Sequence, residues 1–326
     1  MQSQLAIEEA LSSTRWVFEF IDQRKTPESV IAALCANISH IPDSSWEERL
    51  EFGGVFVNGE RVYSDRALVA PVRLEYFEPK YDFRKAEDYF PKFDPSWILY
   101  DDNSLLAVFK PAGLPTIANK DQRRFHLKGY LETHFGHRVH LPSRLDSATG
   151  GLLLASKHPD FHGRLQRLFE RHLIEKYYLA GVGGIPGWSE LKVQSRIGRD
   201  RNHPVLRKTV ESGGLDSETD FRRISCVPER KLSLLLAQPK TGRTHQIRVH
   251  CASLGFPIRG DRFYGGEQNN LGLQLLSFAT AFVHPLSGKR LILTLPERLF
   301  PPWISDYSFP LILPGFHADI GVKPEL

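Results

Sequence analysis

Cysteine is scarce in this sequence. Its 326 residues hold three, Cys35, Cys226 and Cys251, far apart and odd in number. No Cys-x-x-Cys pair exists, which argues against both a zinc site and a disulfide framework. A reducing, cytoplasmic setting suits such thiols best. Long apolar runs are missing too. None approaches the roughly 20 residues that span a bilayer, so no membrane partner is expected. The opening residues, MQSQLAIEEALSS, lack a basic start followed by an apolar stretch, and no secretory signal is expected. Internal repeats and low-complexity segments are absent as well. What remains is ordinary for a soluble globular protein, with 41% hydrophobic and 25% charged residues. A chain of this length can bury a full core and is expected to form two domains.

The net charge of +4 is small, but its distribution is uneven. From Lys157 to Lys208 there are 11 Lys and Arg against 5 Asp and Glu. From Met1 to Tyr76 the balance reverses, 7 against 12. The middle of the chain can face phosphates, whereas the N-terminal part has no electrostatic reason to do so. The alternative for any one basic stretch is a solvated face.

Residues 79–96 mix charge with prolines and show no period, as a linker does. They separate a small α+β unit, 1–78, from a large domain, 97–313, with a loose tail at 314–326. In the small unit, Ser45 to Gly54 reads as a short helix stopped by glycine. Val55-Phe56-Val57, Asn58-Gly59 and Arg61-Val62-Tyr63 read as a hairpin, and Val72 to Phe77 as a further strand. In the large domain, Ser104 to Phe109, Tyr177 to Val182 and Leu232 to Ala237 read as strands. A helix is expected from Pro159 to about Ile174, with Phe161, Leu165, Leu168 and Leu173 on one face and Arg164, Arg167 and Arg171 on another. Thr244 is the expected N-cap of a second helix ended by Gly255. Many strands with few, irregularly placed helices predict an α+β fold.

Two segments concentrate chemistry. In Leu141 to Ser156, LPSRLDSATGGLLLAS, one carboxylate, Asp146, stands between Arg144-Leu145 and a Thr149-Gly150-Gly151 turn. Asp146 reads either as a turn-capping residue or as a carboxylate held in a cleft, kept ionised by a nearby guanidinium. In the second role it serves as nucleophile or base. Lys240-Thr241-Gly242-Arg243-Thr244-His245-Gln246-Ile247-Arg248 is a dense polar and basic cluster near an expected helix N-terminus, a place that favours anions. His245 and His250 stand five apart and share no helix face well, so no metal is expected there. Of Tyr177 and Tyr178, strand alternation puts one ring on each face. One joins the core and the other is free to stack on a base.

The segments SRLDSATGGLLLASK, EKYYLAGV and PKTGRTHQIRVHCASLGFPIRGDRFYG, with the earlier FKPAGLP, together resemble the RluA-type pseudouridine synthases across Trp97 to Pro296. The resemblance implies a mixed, mainly antiparallel central sheet flanked by helices, an RNA substrate, and neither cofactor nor metal. Asp146 corresponds to the family's essential aspartate, and Arg248 to the arginine that pairs with it. Tyr178 corresponds to the tyrosine that packs on the target base, and Arg144 to the arginine that fills the gap left by a flipped nucleotide. Arg243, His245 and Lys240 are expected RNA contacts; Leu145, Leu152 and Ile247 are expected to line the pocket. The chain departs from the family pattern at Ser143, Ser147 and Gly150, which bears on substrate contacts. The N-terminal LEFGGVFVNGERV resembles the small RNA-binding domain first described in ribosomal small-subunit proteins.

The expected function is isomerisation of specific uridines to pseudouridine in structured ribosomal or transfer RNA, by a monomer, with base flipping. Asp146 then attacks the sugar or the base, or removes the C2′ proton; the sequence leaves the three open. One rival is a carboxylate glycosidase, which needs a second acid, with Asp261 the sole nearby candidate. The other is a non-catalytic RNA-binding module.

Overall fold

The computed structural model describes residues 11–38, 41, 43–79, 90–118, 125–200, 206–267 and 269–307. Residues 80–89 of the expected linker and the expected tail at 314–326 lie outside them. The chain divides into two compact units, Met1–Lys92 with Ile117–His126, and Phe93–Thr116 with Leu127–Leu326.

The N-terminal unit contains β1 (Leu11–Phe20), α1 (Val30–Asn37), α2 (Trp46–Phe52), β2 (Val55–Val57), β3 (Glu60–Val62) and β4 (Val72–Pro79). Its strands form an antiparallel sheet in the order β1-β4-β2-β3. The Asn58-Gly59 turn forms as its dipeptide requires, with φ +53° and +82°. The Asn58 carboxamide also accepts from the Arg73 amide and ties the hairpin to β4. Gly53, at φ +89°, ends α2. Trp46 and Tyr76 meet edge to face, 5.0 Å apart, in a core shared with Val30, Leu34 and Leu50. Strand β1 and helix α1 carry too weak a pattern to be read from sequence. Ser29 caps α1 by accepting from the Ala32 amide.

The large unit is built on β5 (Ile98–Asp101), β6 (Leu105–Lys110), α3 (Leu127–Phe135), β7 (Gly150–Ser156), α4 (Pro159–Glu170) and β8 (Glu175–Gly183). There follow β9 (Glu190–Arg199), β10 (Arg207–Val210), β11 (Leu215–Val227), β12 (Leu232–Pro239), α5 (Gln246–Ser253), β13 (Leu275–Val283) and β14 (Arg290–Thr294). All ten strands join one sheet, β10-β9-β11-β12-β8-β13-β7-β6-β5, with β14 on β13. Every pairing is antiparallel except β7 with β13, which run parallel through Gly150 and Gly151 opposite Leu276 and Ser277. Gly151 sits at φ +127°, and a Cβ there would collide with the Ser277 backbone, so only glycine permits the pairing. The fold is α+β with a mixed, mainly antiparallel sheet.

Strand alternation divides the sheet into two packed faces. Leu152, Leu154, Leu179, Leu234, Leu236 and Leu276 pack with Phe161 and Leu165 of α4. Ala180, Leu235, Ala237 and Leu275 pack with Ile247 and Cys251 of α5. The stripe of α4 is narrower than its sequence suggests. The helix stops at Glu170, and Leu173 is exposed rather than core-facing. Arg164, Arg167 and Arg171 are exposed, as the periodicity predicts.

Candidate active site

Asp146 lies on the loop before β7, and the loop is clamped on both sides of it. The Thr116 hydroxyl donates to the Leu145 carbonyl (2.9 Å) and accepts from the Leu145 amide (3.1 Å). The Ser147 carbonyl accepts from the Gly113 amide (2.7 Å) and from Lys110 Nζ (3.1 Å). The Asp146 carbonyl itself accepts from the Thr149 amide, closing a turn. The FKPAGLP segment therefore matters as the frame of the aspartate loop. Gly150 sits against it as well: a Cβ there would stand 3.3 Å from the Ala112 nitrogen, so serine fits only with a small shift.

Lys110 ends β6 with its side chain wholly buried. Its three N–H bonds match three carbonyls, those of Pro111 (2.9 Å), Leu114 (2.6 Å) and Ser147. Burial pushes its amine down to about 7, and the Asp146 charge opposes the drop. The three acceptors favour the ammonium form, which alone has a proton for each. The sequence marks this lysine by its place at the end of an apolar strand, within the FKPAGLP segment.

The Asp146 carboxylate is 30% exposed, which leaves it open to a ligand. Arg248 Nη1 donates to its Oδ2 at 3.1 Å. The rest of that guanidinium is held by Asp261, with Nε donating to Oδ2 (2.7 Å) and Nη2 to Oδ1 (2.8 Å). Asp261 is sealed, its side chain 0% exposed, and its Oδ1 also accepts from the Phe263 amide. Burial opposes the Arg248 charge, but Asp261 and Asp146 outweigh it and hold the guanidinium above its ordinary value. The rings of Phe263 and Tyr264 flank the cation at 5.5 and 5.0 Å. The order is carboxylate, arginine, carboxylate, with only the first reachable from solvent. In the sequence Asp261 stands out only as a candidate second acid. Its function as the arginine's anchor was hidden because the partners come from different elements.

Tyr178 falls on the α5 face of β8 and Tyr177 on the α4 face, as alternation requires. Burial pushes the Tyr178 hydroxyl up to about 12; a Ser277 hydrogen bond opposes this and the Asp146 charge adds to it. Tyr177 is tied to Glu175 and Gln238 on the other side. Ile247 is buried on the same face as Tyr178. Leu145 is buried beside Asp146. Leu152 is not brought to the site. It points into the α4 core, because the alternation that sends Tyr178 one way sends Leu152 the other.

Thr244 does not cap α5. His245 occupies that position at φ +58°, with no side-chain cap bond. Gln246 does the tethering instead. Its Oε1 accepts from the Thr241 hydroxyl and the Arg243 amide, and its Nε2 donates to β11 at the Glu218 carbonyl and the Thr219 hydroxyl. The turn swings His245 towards Asp146, Nε2 to Oδ2 3.6 Å, with Nδ1 2.7 Å from the Tyr264 hydroxyl. Lys240 pairs with Asp220 at 3.2 Å, and Arg243 Nε donates to the Asp216 carbonyl, so both are engaged. Arg144 is exposed, and among the described residues no hydrogen-bond or ion-pair partner reaches it. Beneath α5, His250 is fully buried among the hydroxyls of Ser195, Ser217 and Thr219. No group of His, Cys, Asp and Glu arranged to hold a metal occurs among the described residues.

The model of the RNA pseudouridylate synthase family matches residues 104–253. An uncharacterized RNA pseudouridine synthase of Bacillus subtilis, YhcT, is 34% identical over 218 residues, 65% of this chain and 72% of the relative. The dual-specificity RNA pseudouridine synthase RluA of Vibrio cholerae is 31% identical over 219 residues, 66% of this chain and 88% of the relative. Among solved structures, human RNA pseudouridylate synthase domain containing 1 superposes with a TM-score of 0.54 at 25% identity. That match covers 64% of this chain and 86% of the human one.

Proposed function

The chain belongs to the RluA-type RNA pseudouridine synthases, and on that premise we propose that Asp146 is the carboxylate that carries the reaction. The enzyme isomerises uridine to pseudouridine within RNA. The N1–C1′ bond breaks, the base turns, and C5 bonds to C1′; C5 loses a proton and N1 gains one. A stacked base is out of reach, so the nucleotide leaves the helix at a cost of a few kcal/mol. Arg144, exposed, two residues from Asp146 and with no partner among the described residues, fills the vacated place. Tyr178 packs on the extruded ring, and Arg248 orients Asp146 through its Nη1 hydrogen bond.

One observation carries this reading: a sealed Arg248–Asp261 pair presents one further N–H to the single solvent-reachable carboxylate. It also weighs against a glycosidase, because Asp261 is committed twice to Arg248 and unavailable as a second acid. The targets are structured RNAs, ribosomal or transfer, and the setting is cytoplasmic, in keeping with three free cysteines. The test is Asp146→Asn. The variant is expected to bind RNA as the parent does and to make no pseudouridine, read by carbodiimide mapping of RNA from a complemented deletion strain. Turnover comparable with the parent would remove Asp146 from the chemistry, and free uracil among the products would favour the glycosidase.

A further inference from the structure

Two donors approach Asp146, and both address the same oxygen. Arg248 Nη1 lies 3.1 Å from Oδ2 and His245 Nε2 lies 3.6 Å from it. Among the described residues no donor reaches Oδ1. Which nitrogen of His245 bears hydrogen decides whether the second contact attracts or repels.

The neighbours fix that hydrogen. The Arg207 amide, at the start of the edge strand β10, donates to the Tyr264 hydroxyl oxygen at 3.0 Å. A backbone amide can only donate, so the tyrosine oxygen is already an acceptor there. Its own proton has one partner among the described residues, His245 Nδ1 at 2.7 Å. Nδ1 therefore accepts, and a neutral imidazole then carries its proton on Nε2, towards Asp146. Burial pushes the imidazole down, the Asp146 charge opposes this, and Arg248 and Arg207 add to the drop while Asp261 opposes it. Phe263 stacks on the ring from the remaining side, 6.5 Å between centroids. A separation of 3.6 Å is long for a hydrogen bond, and such contacts tighten when substrate closes the site.

We propose that His245 is a positioning residue whose Nε2–H, set in that tautomer by Tyr264, is the second donor to Asp146 Oδ2 and leaves Oδ1 as the reacting oxygen. The proposal rests on Asp146 being the catalytic carboxylate. It differs from RNA contact by His245, because the side chain is only 8% exposed and both ring nitrogens face protein.

The test has one arm that needs no RNA. Long-range proton–nitrogen correlation spectra of protein labelled with 15N-histidine report the tautomer, with His245 assigned by the loss of its signal in His245→Asn. The Nε2-protonated form is expected near neutral pH, and an Nδ1-protonated His245 would overturn the proposal. The second arm is Tyr264→Phe, which keeps the ring and removes the orienting hydroxyl. Single-turnover tritium release from RNA labelled with [5-3H]uridine in the deletion strain is expected to slow by about 10-fold. RNA affinity is expected to stay within about twofold, because the tyrosine orients and does not touch substrate. The variant should regain rate as pH falls through the imidazole's titration, since protonation restores a hydrogen on Nε2; the parent shows no such recovery. Parent-like rates at every pH, or a loss confined to affinity, would overturn the proposal. Active Asp146→Asn would instead sink the catalytic reading and leave the tautomer result standing.

Discussion

Under α4 the catalytic sheet buries hydrocarbon: Phe161, Leu165, Leu152, Leu234 and Leu276. Under and beside α5 it buries Arg248, Asp261, Gln246 and His250 with their partners. The strands between the two helices are shared, yet one face is mainly hydrocarbon and the other a polar network. Buried charge costs free energy unless it is paired and hydrogen-bonded, so its confinement to one face needs a cause. That face opens at Asp146, and the polar groups beneath fix the carboxylate and its arginine. The α4 face has no such task and is free to supply stability alone.

The strongest way to break this contrast is Asp261→Ala. It leaves the Arg248 guanidinium buried with half its partners, and a loss of about 3–5 kcal/mol is expected in urea unfolding. Turnover of the remaining folded protein should fall to background in tritium release, because Arg248 no longer has a fixed direction. Full activity would show that the arginine needs no anchor.

Leu165→Ala is the matching cut on the other face. The residue is 0% exposed. Its truncation should cost about 2–5 kcal/mol of stability, depending on how far the cavity relaxes. The single-turnover rate at a temperature where the variant is folded should stay within about twofold. A rate loss as deep as that of Asp261→Ala would mean the faces are not functionally separate.

Proton titration gives a gentler comparison. Burial pushes the His250 imidazole down to about 4. The unfolded chain takes up that proton near the ordinary value, so stability is fully present above pH 6.5 and declines as pH falls towards 4. The expected loss over that window is about 3 kcal/mol. His250→Gln should flatten this part of the stability profile, measured by urea unfolding at successive pH values. On the α4 side burial also pushes the His162 imidazole down, but Leu165→Ala leaves that histidine in place and should leave the slope unchanged.

Much of the architecture is legible in the sequence. Asn58-Gly59 forces a tight turn through its own backbone preferences, and it forms. The opposite facing of Tyr177 and Tyr178 follows from pleating, and it holds. The large domain's α+β character and its mixed sheet followed from the spacing of strands and the family resemblance. The site was partly legible: Asp146 and Arg248 stood out as chemistry-bearing residues in dense motifs. Four of its structural supports did not stand out. Lys110 and Thr116 act through backbone carbonyls and amides of a loop some thirty residues on, and Asp261 and Tyr264 act through side chains of another element. Three expectations failed for local reasons, the first being Leu173, which falls beyond the end of α4 and lies exposed. Thr244 lost the cap to His245 once Gln246 tied the preceding turn to β11, and Leu152 followed its strand's alternation away from the pocket.

The sequence by itself determined the elements, the face each residue takes on its own element, and the residues with chemistry to offer. Those are properties of neighbours three or four apart on a helix or two apart on a strand. The family resemblance implied that Arg248 meets Asp146, 102 residues away, but only the tertiary structure decided that Asp261 seals the arginine and that Lys110 clamps the loop. A periodicity says which way a side chain points along its own element. It carries no information on which distant element arrives to meet it.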